Sequence, residues 1–89
     1  MDSAARAAWC QRQFGMMADG GTWGIPRCGL IFQRRGGELV LVAQMPWTSA
    51  MPVTEAELLK QQDAEYEATR AAFTDAGIPV RKASDESAA

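Results

Sequence analysis

The sequence predicts an α+β fold with an N-terminal helix, an antiparallel hairpin sheet of two or three strands and a long C-terminal helix. Three observations predict it: an alanine-rich start, a Gly36-Gly37 pair between two strand-forming segments, and a helix-capping sequence that begins at Thr54. The chain has 89 residues, which is enough for one domain. We expect this domain to span residues 1–79 and the polar residues 80–89 to form a disordered C-terminal tail.

The first helix is predicted over residues 3–18. Four of the first eight residues are alanine, which has the highest helix propensity. Asp2 or Ser3 can cap this helix by accepting hydrogen bonds from its first free amides. Three residues at helical spacing form an apolar stripe, namely Cys10, Phe14 and Met17. The stripe indicates a packed helix, and Gly20 and Gly21 are expected to end it.

The hairpin is predicted because two consecutive glycines tolerate the positive φ angles of a two-residue turn. A turn at Gly36-Gly37 places Arg35 opposite Glu38, and the same register then continues away from the turn. The further pairs that it predicts are Arg34 with Leu39, Gln33 with Val40, Phe32 with Leu41, Ile31 with Val42 and Leu30 with Ala43. Residues 22–25 are a candidate third strand.

Both faces of the predicted hairpin carry apolar side chains, whereas a ribbon with one face in water should alternate apolar and polar residues. Two interpretations remain open. In the first, the helices cover one face and the loop after the hairpin covers the other. In the second, two copies of the chain form a homodimer by packing their sheets or by pairing their strand edges.

The loop at residues 45–53 contains two methionines, one tryptophan and two prolines, and it carries no charge. Tryptophan contributes strongly to protein interfaces, and methionine adapts to varied partners. Met45, Trp47 and Met51 are therefore candidate partner-binding residues, with Arg34 and Arg35 as charges at the rim. The alternative is that the loop folds back as a lid on a thin core.

The second helix has clear signals at both ends. Thr54 and Glu57 match a capping box, in which each side chain bonds the backbone amide of the other residue. Gly77 can take the left-handed position after the last turn, and Pro79 cannot continue the helix. Positions 54–76 hold six acidic and two basic residues, whereas the preceding hairpin and loop hold three arginines and one glutamate. An acidic helix therefore follows a mildly basic hairpin in a chain of net charge −2.

The sequence contains no residue set typical of an enzyme active site. It has no histidine, which excludes the Ser–His and Cys–His nucleophile pairs. Cys10 and Cys28 are too few for a zinc site, and no phosphate-binding glycine motif is present. We therefore expect a protein that is not an enzyme and that has no catalytic residue, no metal and no cofactor.

Localisation is expected to be cytoplasmic, with no membrane partner. No segment matches an export signal, and the longest apolar run is too short to span a bilayer. In the cytoplasm the two cysteines are expected to be free thiols.

The main alternative to protein binding is a nucleic-acid-binding regulator that uses the arginines of the hairpin region, Arg27, Arg34 and Arg35. The order of one helix, three strands and one helix is also that of double-stranded-RNA-binding domains. Those domains carry basic residues at the start of the second helix, where this chain has Glu55 and Glu57. The arginines also form no dense basic patch, so nucleic acid is the less favoured partner.

Several short segments resemble small accessory proteins encoded by tailed phages of actinobacteria. These segments are DGGTWGIPR at residues 19–27, GLIF at 29–32, MP at 45–46 and QQDAEYE at 61–67. The resemblance extends over residues 15–80. It implies a viral protein that is made in the host cytoplasm and acts by binding a host bacterial protein, and it assigns a functional role to no residue of this chain.

Overall fold

Two α-helices pack on one face of a four-stranded sheet in the computed structural model, which describes residues 2–84. The elements in chain order are α1 (Ser3–Gly15), β1 (Thr22–Ile25), β2 (Leu30–Arg35), β3 (Glu38–Gln44), α2 (Glu55–Asp75) and β4 (Val80–Lys82). The strands follow one another across the sheet in the order β1-β2-β3-β4. The predicted α+β class is confirmed, and the candidate third strand is β1.

The fourth strand is a difference from the sequence prediction, which expected at most three antiparallel strands and a disordered tail from residue 80. Val80–Lys82 instead forms β4 and pairs in parallel with β3. The ladder begins where the Leu39 amide donates to the Pro79 carbonyl at 2.9 Å. The prediction of disorder is therefore wrong for residues 80–82, and residues 83–84 are described as a 3₁₀ turn. The rest of the predicted tail, residues 85–89, lies outside the described residues.

The ends of α2 form as the sequence predicts. Thr54 and Glu57 make both hydrogen bonds of the capping box. After the last turn, Gly77 adopts a φ of 86°, and the Ile78 amide donates to the Phe73 carbonyl at 2.9 Å. This closure turns the chain back toward the sheet, where β4 begins. Among residues 2–84, no helix is both long enough and apolar enough to cross a lipid bilayer.

Helix α1 is shorter than predicted. It begins as expected, with the Asp2 carboxylate accepting a hydrogen bond from the Ala5 amide at 2.7 Å. It ends at Gly15, a residue of low helix propensity, instead of continuing to residue 18. Gly20 and Gly21, which were expected to end the helix, belong to the connection that leads into β1.

The hairpin register agrees with the predicted one for the four pairs nearest the turn. Beyond them the register shifts by one residue, so that Ile31 pairs with Ala43 instead of Val42. This β-bulge places an extra residue in β3 and bends the strand locally. After the bulge the Met45 amide donates to the Gly29 carbonyl at 2.9 Å, which fixes the start of the loop.

The core lies between the helices and the inner face of the sheet. Because β3 lies between β2 and β4, its residues Leu39, Val40 and Leu41 are all buried. Val40 points away from the helices and lies in a cross-strand row with Gln33 and Arg81. The helices thus cover one face, as the first interpretation expects. On the other face, which the first interpretation expected the loop to cover, the polar side chains of Gln33 and Arg81 flank Val40.

Replacing Gly36 with alanine is expected to lower the free energy of unfolding by about 1–2 kcal/mol, because a Cβ is strained at its φ of 61°. Gly37 is the matched control, since its φ is not positive and an added Cβ would meet nothing within 4 Å. We expect Gly37→Ala to change stability by less than about 0.5 kcal/mol. Urea unfolding measures both changes, and equal losses would contradict this account of the turn.

Candidate functional site

A groove of about 680 Å³ lies between α1, α2 and the outer strand β1. Its lining includes Trp9 and Cys10 from α1, Trp23 from β1, and Thr69 and Phe73 from α2. We call it the aromatic groove. Ligand sites in proteins commonly combine such an apolar lining with a few polar groups that orient the ligand.

Three aromatic side chains form the walls of the aromatic groove. Trp9 approaches Trp23 and Phe73 edge-on, with ring centroids 6.1 and 6.3 Å apart. Trp23 also stacks on Phe32 of the core, with the ring centroids 5.6 Å apart. Edge-to-face and offset-stacked pairs are favourable arrangements of aromatic rings, so these contacts hold the walls in place. Trp9 is nevertheless 38% exposed, which leaves part of its ring available to a ligand.

The charged residues of the aromatic groove lie at its rim. Arg27, in the turn after β1, forms an ion pair of 2.6 Å with Glu65 of α2. The hydrogen bond that Arg27 donates to Glu65, together with the negative charge of Glu65, raises the pKa of Arg27 above its usual value. Arg6 of α1 also lines the groove, and its side chain makes no hydrogen bond or ion pair within residues 2–84. Arg6 is therefore available to an acidic group of a ligand.

The buried thiol of Cys10 lies at the floor of the aromatic groove. Burial raises the pKa of Cys10, and the positive charge of Arg6 offsets only part of this rise. The pKa of Cys28, the other free cysteine, is also raised, chiefly by burial. A thiol with a raised pKa stays protonated near neutral pH and is a weak nucleophile.

The predicted partner-binding residues of the loop lie outside the aromatic groove. Met45 and Trp47 are each 38% exposed, and Met51 is half-buried. The Trp47 indole N–H donates to the Val53 carbonyl at 2.7 Å, while Gln62 of α2 donates to the Met45 carbonyl at 2.9 Å. Trp47 is therefore hydrogen-bonded within its own loop and is still partly exposed. This position is neither that of a fully exposed anchor nor that of a lid buried on the core.

The two arginines predicted at the rim of the loop surface point to opposite faces of β2. Arg34 points inward, and its Nη1 donates to the Phe14 and Met17 carbonyls at 2.9 and 3.0 Å. Its guanidinium carbon also lies 4.3 Å from the centre of the Phe14 ring. Arg35 points outward, and its Nε donates to the Gln33 side chain at 2.8 Å. Arg34 therefore fastens the end of α1 to the hairpin.

Sequence reasoning missed the two tryptophans of the groove. Trp9 lies beside the apolar stripe of α1, and Trp23 alternates with exposed residues in β1, so that it faces the helices. These signals place both side chains near the core. They do not show that α1 and β1 stand far enough apart to leave a groove, which only the packing of the two elements determines.

Other site chemistry has little support. No group of three or more acidic or cysteine residues within the described part of the chain is placed to hold a metal ion. No protein family, curated protein or solved structure matches this chain. The aromatic groove and its surroundings are therefore the basis for inferring function.

Proposed function

We propose that this chain is a non-catalytic protein-binding module and that the aromatic groove is its contact surface. The observation that carries the proposal is an apolar groove of about 680 Å³ with the partly exposed Trp9 in its wall and Arg6 at its rim. Tryptophan and arginine are enriched among the residues that dominate the binding energy of protein interfaces. Such a groove accepts apolar side chains of a partner and offers one cation to an acidic group.

The partner that we propose is a bacterial host protein, in keeping with the resemblance to accessory proteins of tailed phages. Two features of the groove support binding rather than catalysis. Glu65 is the one carboxylate among residues 2–84 that lines the groove, and it is engaged by Arg27 at 2.6 Å. The raised pKa of Cys10 keeps its thiol protonated. A general base would need a carboxylate free to accept a proton from a substrate.

Nucleic-acid binding through the arginines has less support. Arg34 donates to two backbone carbonyls near the end of α1, and Arg27 forms an ion pair with Glu65. A phosphate backbone would have to displace these contacts. The first turn of α2 also carries Glu55 and Glu57, which repel phosphates.

Two matched alanine variants on α2 test the proposal. Ala68 and Ala71 are both exposed, but only Ala68 lines the aromatic groove. Tagged protein is used to capture partners from nuclease-treated lysate of an actinobacterium. We expect one protein to be retained by the wild type and by Ala71→Arg, and to be retained at least about ten-fold less by Ala68→Arg, because a long charged side chain blocks the groove.

Two further measurements define the outcome. Unfolding midpoints should be equal for Ala68→Arg and Ala71→Arg, so that a loss of capture reports on the groove rather than on folding. A Trp47→Ala protein is included, and if it alone loses the partner, the contact surface is the loop. If no protein is retained, or if retention disappears on nuclease treatment, the proposed protein-binding function is wrong.

A further inference from the structure

We propose that the partner binds as an extended segment that adds a fifth strand to the free edge of β1. Alternate side chains of this segment would enter the aromatic groove and a second hollow on the opposite face of the sheet. The inference rests on the proposed protein-binding function and names the form that the partner takes. The first observation is that β1 is an edge strand of the sheet. Among residues 2–84, β2 is the one strand that pairs with β1.

The register shows which backbone groups of β1 face outward. The Arg34 amide of β2 donates to the Gly21 carbonyl at 2.9 Å, just before β1 begins. Because hydrogen-bonding residues alternate along an antiparallel strand, the amides and carbonyls of Trp23 and Ile25 also point to β2. The amides and carbonyls of Thr22 and Gly24 therefore point away from the sheet, toward the place of an added strand.

A concave surface lies on each side of this edge. The aromatic groove lies on the helix side, and a hollow of about 360 Å³ lies toward the outer face of the sheet. We call the second one the outer hollow; its lining includes Ile31, Ala43 and Met45. Gly24 and Ile25 line both. Successive side chains of a strand point to opposite faces, so a strand added here would fill both surfaces with alternate residues.

The two edges of the sheet differ in how they are protected. Charged residues on an edge strand are a common device that prevents strand addition. The outer strand at one side, β4, carries Arg81 and Lys82 in three residues. The outer strand at the other side, β1, has the sequence Thr-Trp-Gly-Ile and carries no charge. Of the two outer strands, β1 is therefore the one suited to accept another strand.

A segment of a partner protein fits this edge better than a second copy of the chain. In a second copy, Trp23 and Ile25 of β1 already pack on their own core, so they would not fill the aromatic groove. Pairing of two four-residue strands also buries much less than the roughly 800 Å² per partner of a standard interface. An acidic residue in the partner segment would meet Arg6 at the rim, since the other rim arginine is engaged by Glu65.

The decisive variants are Gly24→Pro and Gly24→Ala. Proline removes the outward amide of Gly24 and is tolerated on an edge strand whose N–H points away from its neighbour. Alanine keeps the amide, and its Cβ would meet only the Leu30 carbonyl oxygen, at 3.6 Å. Both variants carry Trp47→Phe, so that tryptophan emission reports on the groove residues Trp9 and Trp23.

The probes are two capped octapeptides of identical composition: one phenylalanine, two leucines, four serines and one glutamate. In one peptide the apolar residues alternate with serine, so a strand would place all three in the aromatic groove and small serines over the outer hollow. In the other peptide the apolar residues have helical spacing, so a strand would divide them between its two faces and put fewer of them in the aromatic groove. We expect the alternating peptide to shift the tryptophan emission of the Gly24→Ala protein, and to bind the Gly24→Pro protein at least about ten-fold more weakly. The helically spaced peptide should bind both proteins at least about ten-fold more weakly than the alternating peptide binds Gly24→Ala.

Several results would overturn strand addition: equal binding to both glycine variants, equal binding of both peptides, or no binding of either peptide at millimolar concentration. Light scattering that shows a dimer in Gly24→Ala and a monomer in Gly24→Pro would make the occupant a second copy and also overturn it. If Gly24→Pro does not fold, amide exchange of the wild type decides. The alternating peptide should then slow the Thr22 and Gly24 amides and leave the Trp23 and Ile25 amides unchanged.

This inference can fail while the proposed function stands. Capture of the host protein that is lost in Ala68→Arg but retained in Gly24→Pro would confirm binding at the groove and exclude an added strand. If no protein is captured at all, the proposed function fails together with the inference.

Discussion

Replacing Gln62 with leucine is expected to lower the free energy of unfolding by about 2–4 kcal/mol. Gln62 is 1% exposed, and its Nε2 donates to the Cys28 and Met45 carbonyls at 3.0 and 2.9 Å. Leucine has a similar volume but no N–H group, so both carbonyls lose a donor where water has little access. Because this side chain joins α2 to the turn before β2 and to the loop after β3, its loss should also loosen that loop.

The matched control for this prediction is Gln61→Leu. Gln61 is the neighbouring residue of α2 and is exposed, so we expect its replacement to change stability by less than about 0.5 kcal/mol. Urea unfolding followed by circular dichroism measures both variants. Equal midpoints for Gln61→Leu and Gln62→Leu would show that the two buried hydrogen bonds contribute nothing.

Replacing Arg34 with methionine is expected to lower the free energy of unfolding by about 2–3 kcal/mol. The change removes the donors to the Phe14 and Met17 carbonyls and the contact of the guanidinium with the Phe14 ring. The end of α1 then loses its attachment to the hairpin. Arg34→Lys should fall between the wild type and Arg34→Met, because lysine keeps the charge but not the planar fork of donors.

Arg35→Met is the comparison for this second prediction, since Arg35 is the adjacent arginine on the opposite face of β2. We expect it to cost less than about 1 kcal/mol, as is usual for a charged side chain at the surface. The same proteins also test the sequence-based hypothesis that both arginines are rim charges of a partner surface. If Arg34→Met unfolds at the wild-type midpoint but no longer captures the partner, that hypothesis holds and a structural role for Arg34 is wrong.

The elements that the sequence predicts well have signals within a few residues of one another. The capping box of α2 involves Thr54 and Glu57, and its C-terminal end involves Gly77 and Pro79. The hairpin turn similarly requires only a residue such as Gly36 that tolerates a positive φ. Local hydrogen bonds and local backbone preferences suffice to specify these features, so they can be read without knowledge of the rest of the fold.

The features that the sequence does not reveal depend on residues far apart in the chain. β4 is a three-residue strand that exists because α2 returns the chain to β3, and its own residues have too short a pattern to predict it. The bulge that makes Val42 an extra residue has no turn residue or proline to mark it. Both features result from how β3 fits its neighbours on either side.

The candidate site also depends on contacts between residues far apart in the chain, so the sequence does not reveal it. The loop residues Met45 and Trp47 stand out in the sequence because they are apolar residues in an uncharged loop, yet the groove is formed by Trp9 and Trp23, which lie in regular elements. Arg34 looks like a solvent-exposed charge by residue type. In the structure its guanidinium binds the Phe14 and Met17 carbonyls, at the end of α1 and just after it, and the sequence alone does not place these carbonyls beside β2.

The parallel pairing of β4 with β3 also determines when the protein can finish folding. Almost half of the chain separates Leu39 from Val80, which lie side by side in the sheet. A ribosome adds roughly 5–20 residues per second, whereas hairpins and helices form within microseconds. The nascent hairpin therefore waits on the order of seconds with the edge of β3 uncovered. During synthesis that edge is open to a chaperone or to another nascent chain, until residues 80–82 emerge and cover it.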